Sequence, residues 1–348
     1  MIPASPAHDR RIRARVPRSA VTLCIGILIA SIGGLSCSTS PSPEKPAAPW
    51  RIYVTNQLDN TASVIDGATH KTVATVRVGV SPAQMVVSPD RKSVYIANTG
   101  SNTVSVLSTD NNTIARTIAL PPRSKPIDVA VNPNGRYLYI ADGGSNRVSV
   151  LDTRAKRVVA SVRVGTQPLS VAAAPDGKTV YAANSGSGDV SVIDARTNRV
   201  VRAIPTGRFP SGVAVTPDGA SLYVTNELSG VTIINAHNGT VAARLREPSP
   251  FSVAMSPDGD RAYVTGLGPG RVAAIDTGTH RVSSTVSIGP EGTDPFTVRA
   301  TGEAIYVANQ GASTLSVIDQ SPFKATATIA TGNSPYGIAV VERRPTNR

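Results

Sequence analysis

The stretch Pro217-Asp218-Gly219-Ala220-Ser221-Leu222-Tyr223-Val224-Thr225-Asn226 decides how this chain is read, because the chain keeps rewriting it. A Pro-Asp-Gly turn, in which glycine is free to take a positive φ, runs into a short strand-like apolar segment that ends on asparagine. Tyr-Val-Thr-Asn or a near copy begins at Tyr53, Tyr95, Tyr139, Tyr181, Tyr223, Tyr263 and Tyr306. Successive tyrosines lie 42, 44, 42, 42, 40 and 43 residues apart. A period in the forties, carried by strand segments and Gly/Pro/Asn/Asp turns, is the signature of a β-propeller with one blade per repeat. Seven copies predict an all-β, seven-bladed propeller, and one periodic array overrides the two-domain expectation for 348 residues.

Each repeat divides into four antiparallel strands. In the unit that starts at Pro168, Leu169–Ala174 is strand A, Thr179–Asn184 strand B, Val190–Asp194 strand C and Arg199–Pro205 strand D. Strands B and C are apolar on both parities, as expected for sheets covered on both faces. Strand D carries Arg77, Arg116, Arg163 and Arg202, which suits an outer edge guarded against pairing with another chain. The first repeat opens at Trp50-Arg51-Ile52-Tyr53 without a strand A, and the chain finishes its periodic part on Pro335–Val341 without a strand B. Each supplies what the other lacks, so the C-terminal strand is expected to complete the first blade and close the ring. Two D–A loops depart from the repeat, Gly289–Asp294 and Pro121–Lys125, and such departures are where function can be added.

The tetrads, the Ser-Val-Ile-Asp ends of strand C (Ser63–Asp66, Ser191–Asp194, Ser316–Asp319) and the Gly-x-x-Pro lead-ins (Gly79–Pro82, Gly165–Pro168, Gly332–Pro335) together resemble the YVTN-family β-propeller repeat. Its relatives include YncE-like periplasmic proteins and archaeal surface-layer proteins, and the resemblance spans residues 51–342. It implies an extracytoplasmic propeller without established catalysis. It also raises DNA binding, although no motif here carries that property onto particular residues. The Trp-Asp signature of WD40 blades is absent from the sequence.

Residues 1–36 read as an export leader: Arg10, Arg11, Arg13, Arg15 and Arg18 precede an apolar run from Ala20 to Ala30. Residues 37–49 form a Ser/Pro-rich tether, residues 50–342 the propeller and residues 343–348 a tail. Gly34-Leu35-Ser36-Cys37 resembles a bacterial lipobox, except that Gly34 stands where that pattern has leucine. Cys37 is therefore a candidate lipidation site, with ordinary cleavage or an uncleaved anchor as alternatives. The chain is expected outside the cytoplasmic membrane, as a lipoprotein or secreted. Cys24 and Cys37 are the only cysteines, so the repeats hold no disulfide, thiolate metal site or cysteine nucleophile. The formal charge is +12, or +8 with residues 1–36 removed, which favours anionic partners.

Candidate site residues follow from strand A parity, read as a channel-facing phase alternating with a core-facing one. One ring would hold Gln84, Asp128, Ser170, Gly212, Ser252, Thr297 and Gly337. The next would hold Val86, Ala130, Ala172, Ala214, Ala254, Arg299 and Ala339. The alternate phase (Met85, Val129, Val171, Val213, Val253, Val298, Ile338) is large and apolar, as a core should be. Arg299, alone among small aliphatic residues and opening toward Asp128, could hold a carboxylate or phosphate bidentately, or could plug the channel by pairing with Asp128, waters or loop carbonyls. Phe209, Phe251, Phe296 and Tyr336, with Arg208, Arg123 and Lys125, are candidates for a docking surface on the D–A loop face, the alternative being aromatics packed under neighbouring loops.

Catalytic groupings are poor. His70, His237 and His280 fall in C–D turns of different blades, on the face opposite the D–A loops, and no Gly-x-Ser-x-Gly elbow or Walker loop occurs. The tetrad asparagines (Asn56, Asn98, Asn184, Asn226, Asn309) are expected to satisfy B–C loop backbone groups. No cofactor or metal is expected. The composition fits a non-catalytic binding or scaffold module for a protein or envelope polymer. A nucleic-acid binder and a lactonase-like hydrolase are the alternatives, and the sequence leaves the oligomeric state open.

Overall fold

The computed structural model describes residues 50–342; the leader, the tether with Cys37, and the C-terminal tail lie outside the described residues. Twenty-eight strands, numbered in chain order, form seven four-stranded antiparallel sheets. The innermost strands of blades 2 to 7 are β4 (Pro82–Val87), β8 (Pro126–Val131), β12 (Pro168–Ala173), β16 (Pro210–Val215), β20 (Pro250–Met255) and β24 (Pro295–Ala300). Blade 1 is assembled from both ends of the array: β28 (Pro335–Val341) pairs antiparallel with β1 (Arg51–Asn56), followed by β2 (Thr61–Asp66) and β3 (Thr72–Arg77). Ring closure through the C-terminal strand is as the two incomplete repeats require.

No single core holds the molecule together. The buried apolar side chains fall into seven clusters, each joining two adjacent blades. Every seam contains one repeat tyrosine, from Tyr53 between blades 1 and 2 to Tyr306 between blades 7 and 1. The period-42 tyrosine is therefore a wedge between sheets, contributing about 2–3 kcal/mol by burial of its ring. On the outer strands Arg77, Arg116, Arg163 and Arg202 are exposed, alongside exposed valines such as Val73 and Val201.

The inner-strand parity needs correcting. Both phases face neighbouring blades, because the sheets stand radially about the axis. Met85, Val129 and Val171 enter the seam with the preceding blade, and Val86, Ala130 and Ala172 the seam with the following one. The alternation read as channel against core is one seam against the next, and the lumen is bordered by edges of both sets.

Candidate functional site

A cavity of about 360 Å³ occupies the axis. Gln84, Asp128, Ser170, Ser252, Thr297 and Arg299 all border it. Most of these polar groups are spent on stitching inner strands together. Asp128 Oδ2 accepts from Ser170 Oγ at 2.8 Å and from Val171 N at 2.9 Å, while its Oδ1 accepts from Val129 N at 2.8 Å. Ser170 Oγ in turn accepts from Val213 N at 3.3 Å, and Ser252 Oγ accepts from Val298 N at 3.4 Å. Gln84 Nε2 donates to Thr297 Oγ1 at 2.7 Å, reaching from blade 2 to blade 7 past Gly337 of blade 1. Gly212 and Gly337 bring no side chain to the lumen: a Cβ on Gly337 would lie 2.5 Å from Ala83 O, and one on Gly212 would lie 2.9 Å from Phe251 O. These glycines exist so that adjacent inner strands can approach.

Arg299 is different. It projects from the phase that faces blade 1, where five of the other six blades place alanine and blade 2 has Val86. Its Nε is buried without a partner, and among the described residues no acceptor reaches its other nitrogens. Asp128 attracts it through space, but the two form no ion pair. Burial lowers the guanidinium pKa and raises that of Asp128, each shift opposed in part by the partner's charge and, for Asp128, by its three hydrogen bonds.

The loop aromatics divide into two groups. Phe251, Phe296 and Tyr336 open the inner strands of blades 6, 7 and 1. Their rings form a continuous array, Phe251 to Phe296 at 3.9 Å between centroids and Phe296 to Tyr336 at 4.5 Å. They do not lie on the outer loop surface as a docking patch; Phe251 and Tyr336 border the cavity mouth with Phe296 wedged between. The cause is a β-bulge. In each inner strand the ladder slips just after the lead proline, as between Pro295 and Thr297 or Pro210 and Gly212, and the extra residue is re-aimed. The same place holds Ala83, Ile127, Leu169 and Ser211 in blades 2 to 5, so the mouth is aromatic on one side only. Burial, then the Asp128 charge, raises the Tyr336 phenol pKa and keeps it a proton donor.

Phe209 is elsewhere. It precedes the lead proline of blade 5, has φ of 58° and is 44% exposed. The equivalent residue of every blade is left-handed (Ser81, Lys125, Gln167, Ser249, Asp294, Ser334), so the conformation belongs to the repeat. What is unusual is a bulky apolar side chain held out on it. Leu228, 60% exposed, lies beside it, its N–H donating to Arg208 O at 3.4 Å. Arg208, Arg123 and Lys125 are exposed on the same face. An open groove of about 620 Å³ runs past Phe209 and Arg208 between blades 4 and 5.

The tetrad asparagines serve the blade, though not as the sequence suggested. Asn56, Asn98, Asn184 and Asn309 reach across to strand C and donate to a serine hydroxyl seven residues on, at 2.8–2.9 Å. Only Asn226 among them donates to backbone carbonyls, those of Val224 and Gly230. Blade 3 puts Asp142 in this place. It is 1% exposed and hydrogen-bonded to Ser149 Oγ at 2.5 Å, and burial pushes its carboxyl pKa up to about 6. Sequence reading passed over Asp142; its signal was an acid standing at a tetrad end.

The fold and its axial cavity define a seven-bladed propeller with a ligand-sized channel. The family model described as YncE-like beta-propeller matches residues 14–170. The uncharacterized protein YncE of Salmonella typhimurium is 30% identical over 84 residues, so the matched part is 24% of each chain, about a quarter of that relative's length. By these two matches the chain is similar to YncE-like β-propellers over part of its length. Among solved structures, a functionally unknown protein from Desulfotomaculum acetoxidans superposes with a TM-score of 0.70 at 17% identity, over 84% of this chain and 99% of that one. Kuenenia stuttgartiensis hydrazine synthase gives 0.67 at 22%, over 74% and 89%. Dihydro-heme d1 dehydrogenase NirN in complex with DHE gives 0.63 at 14%, over 84% and 66%. At these identities the likeness is one of fold.

Proposed function

We propose that the chain works outside the cytoplasmic membrane as a non-catalytic binding or scaffold module, docking a protein or envelope polymer on its D–A and B–C loop face. The observation that carries this reading is a set of large apolar side chains held in solvent on that face: Phe209 and Leu228 on blade 5, with Leu58 (74% exposed) and Val80 (51%) on blades 1 and 2. Arg208, Arg123 and Lys125 give the face a positive rim. Apolar anchors ringed by arginine are the composition of protein-binding surfaces. The leader reading of residues 1–36 and the lipobox-like Cys37 support export and tethering.

Phe209→Asn combined with Leu228→Ser tests this face. Asparagine tolerates the left-handed backbone, so the melting temperature is expected to stay within a few degrees. A partner that co-purifies with the wild-type chain from native envelope, and is identified, should bind the double variant at least tenfold more weakly in a purified binding assay. Unchanged affinity overturns the face assignment. The basic balance supports a rival reading, an anionic polymer; for that partner affinity would fall steeply with salt instead of with loss of Phe209.

A further inference from the structure

We propose that the axial channel binds a small organic monocarboxylate with a flat apolar body. Arg299 and the Tyr336 hydroxyl hold the acid, and the body lies against the Phe251–Phe296–Tyr336 array.

Four features point to this class of ligand. First, Gln84, Asp128, Ser170, Ser252 and Thr297 are engaged with neighbouring strands, whereas no acceptor among the described residues reaches the Arg299 guanidinium. A half-buried guanidinium offers donors in a fork that matches a carboxylate. Second, Arg299 faces blade 1, and Tyr336 opens blade 1 on the adjacent inner strand with a phenol that has no hydrogen-bond partner among the described residues. The two donors converge from neighbouring strands on the same cavity. Third, Phe251 and Tyr336 border the cavity at the level of Phe296, which stands three residues above Arg299 on β24, roughly 10 Å along a strand, so a ligand reaching from Arg299 to those rings needs an acid at one end and an apolar body at the other. A cavity of about 360 Å³ lies at the small end of ligand-site volumes. Fourth, Asp128 borders the same lumen and its charge reaches both Arg299 and Tyr336. Asp128 repels added negative charge, so the lumen disfavours a dianion more strongly than a monoanion seated on Arg299.

Calorimetry on the full chain with 3-phenylpropionate, 3-phenylpropionamide and inorganic phosphate tests the assignment at pH 7. The carboxylate is expected to bind at least tenfold more tightly than the amide or phosphate. Arg299→Met should weaken it at least tenfold, and Tyr336→Phe severalfold. Arg299→Met is also expected to melt at or above the wild-type temperature, since it exchanges a half-buried charge without a hydrogen-bond partner for an apolar chain of similar length. A lower melting temperature for Arg299→Met, with no wild-type binding of the carboxylate, would make Arg299 a structural plug and overturn the proposal. Equal binding of acid and amide, binding unchanged in Arg299→Met, or phosphate binding as tightly as the aryl acid would each overturn it as well.

Discussion

Single positions in the repeat show how much a few atoms decide. Asp142 holds a place that four other blades give to an asparagine bonded to a strand C serine, and Ser149 stands seven residues on as Ser63 and Ser105 do. Its folded pKa of about 6 lies above the ordinary 3.8, so the folded state holds this proton more tightly than the unfolded chain. Stability from this group is fully present below about pH 4 and is lost as pH rises through about 6. At 1.36 kcal/mol per unit, the loss at neutral pH is about 3 kcal/mol. Asp142→Asn should restore the hydrogen bond without the charge. Thermal melts from pH 4 to 8 are expected to show the variant more stable than wild type at pH 7 to 8, with the gap closing toward pH 4. A gap that stays constant, or that widens on acidification, would contradict the assignment. The tetrad made the position visible from sequence, but the burial that turns it into a titrating group was not.

Among the elements, the inner strand concentrates most of what the chain does. Its lead proline, bulge and short apolar run are written in every repeat, and strand count, order and closure could be read from Pro82, Pro335 and the seven tyrosines alone. The direction of its side chains could not. A two-residue period treats the strand as regular, whereas the bulge after each proline re-aims Phe251, Phe296 and Tyr336 into the channel mouth and leaves Phe209 on the outer face. Nor does a period know that the sheets are radial, which is why both phases of β4 and β8 serve seams. Gly337 illustrates the closeness this imposes: it read as a lining residue, yet Ala83 O, Gln84 Cα and Met85 N all stand within 3.1 Å of where its Cβ would be. Those are backbone atoms of the next blade and cannot swing away. Gly337→Ala should therefore cost about 1–3 kcal/mol through displaced strands, measurable as a lowered urea midpoint with an unchanged slope. An unshifted midpoint would mean that blades 1 and 2 slide apart freely.

For the whole molecule the decisive bond is between segments almost three hundred residues apart. Pairing β28 with β1 closes a loop whose ends are far apart in sequence, and each doubling of loop length costs about 0.6 kcal/mol. Relative to a hairpin of five residues this closure costs roughly 3.5 kcal/mol more. The return comes from two seams at once: Ile338 is buried between blades 7 and 1, and Ala339 and Val341 are buried between blades 1 and 2. At about 1.5–3 kcal/mol for each large buried side chain, with the ladder bonds of β1 added, closure is favourable. Unclosed, β1 would present a bare apolar edge, the arrangement that invites pairing with other chains. A variant ending at Ser334 should therefore lose its cooperative melt and elute as oligomers on gel filtration. A circular permutant that moves Pro335–Glu342 ahead of Trp50 should elute and melt as the wild type does, because it keeps the same four strands in blade 1 while making their order sequential. If the shortened variant eluted as the wild type does, with an unshifted melt, the seams between the other blades would be sufficient, and the shared blade would be a consequence of the ring instead of its lock.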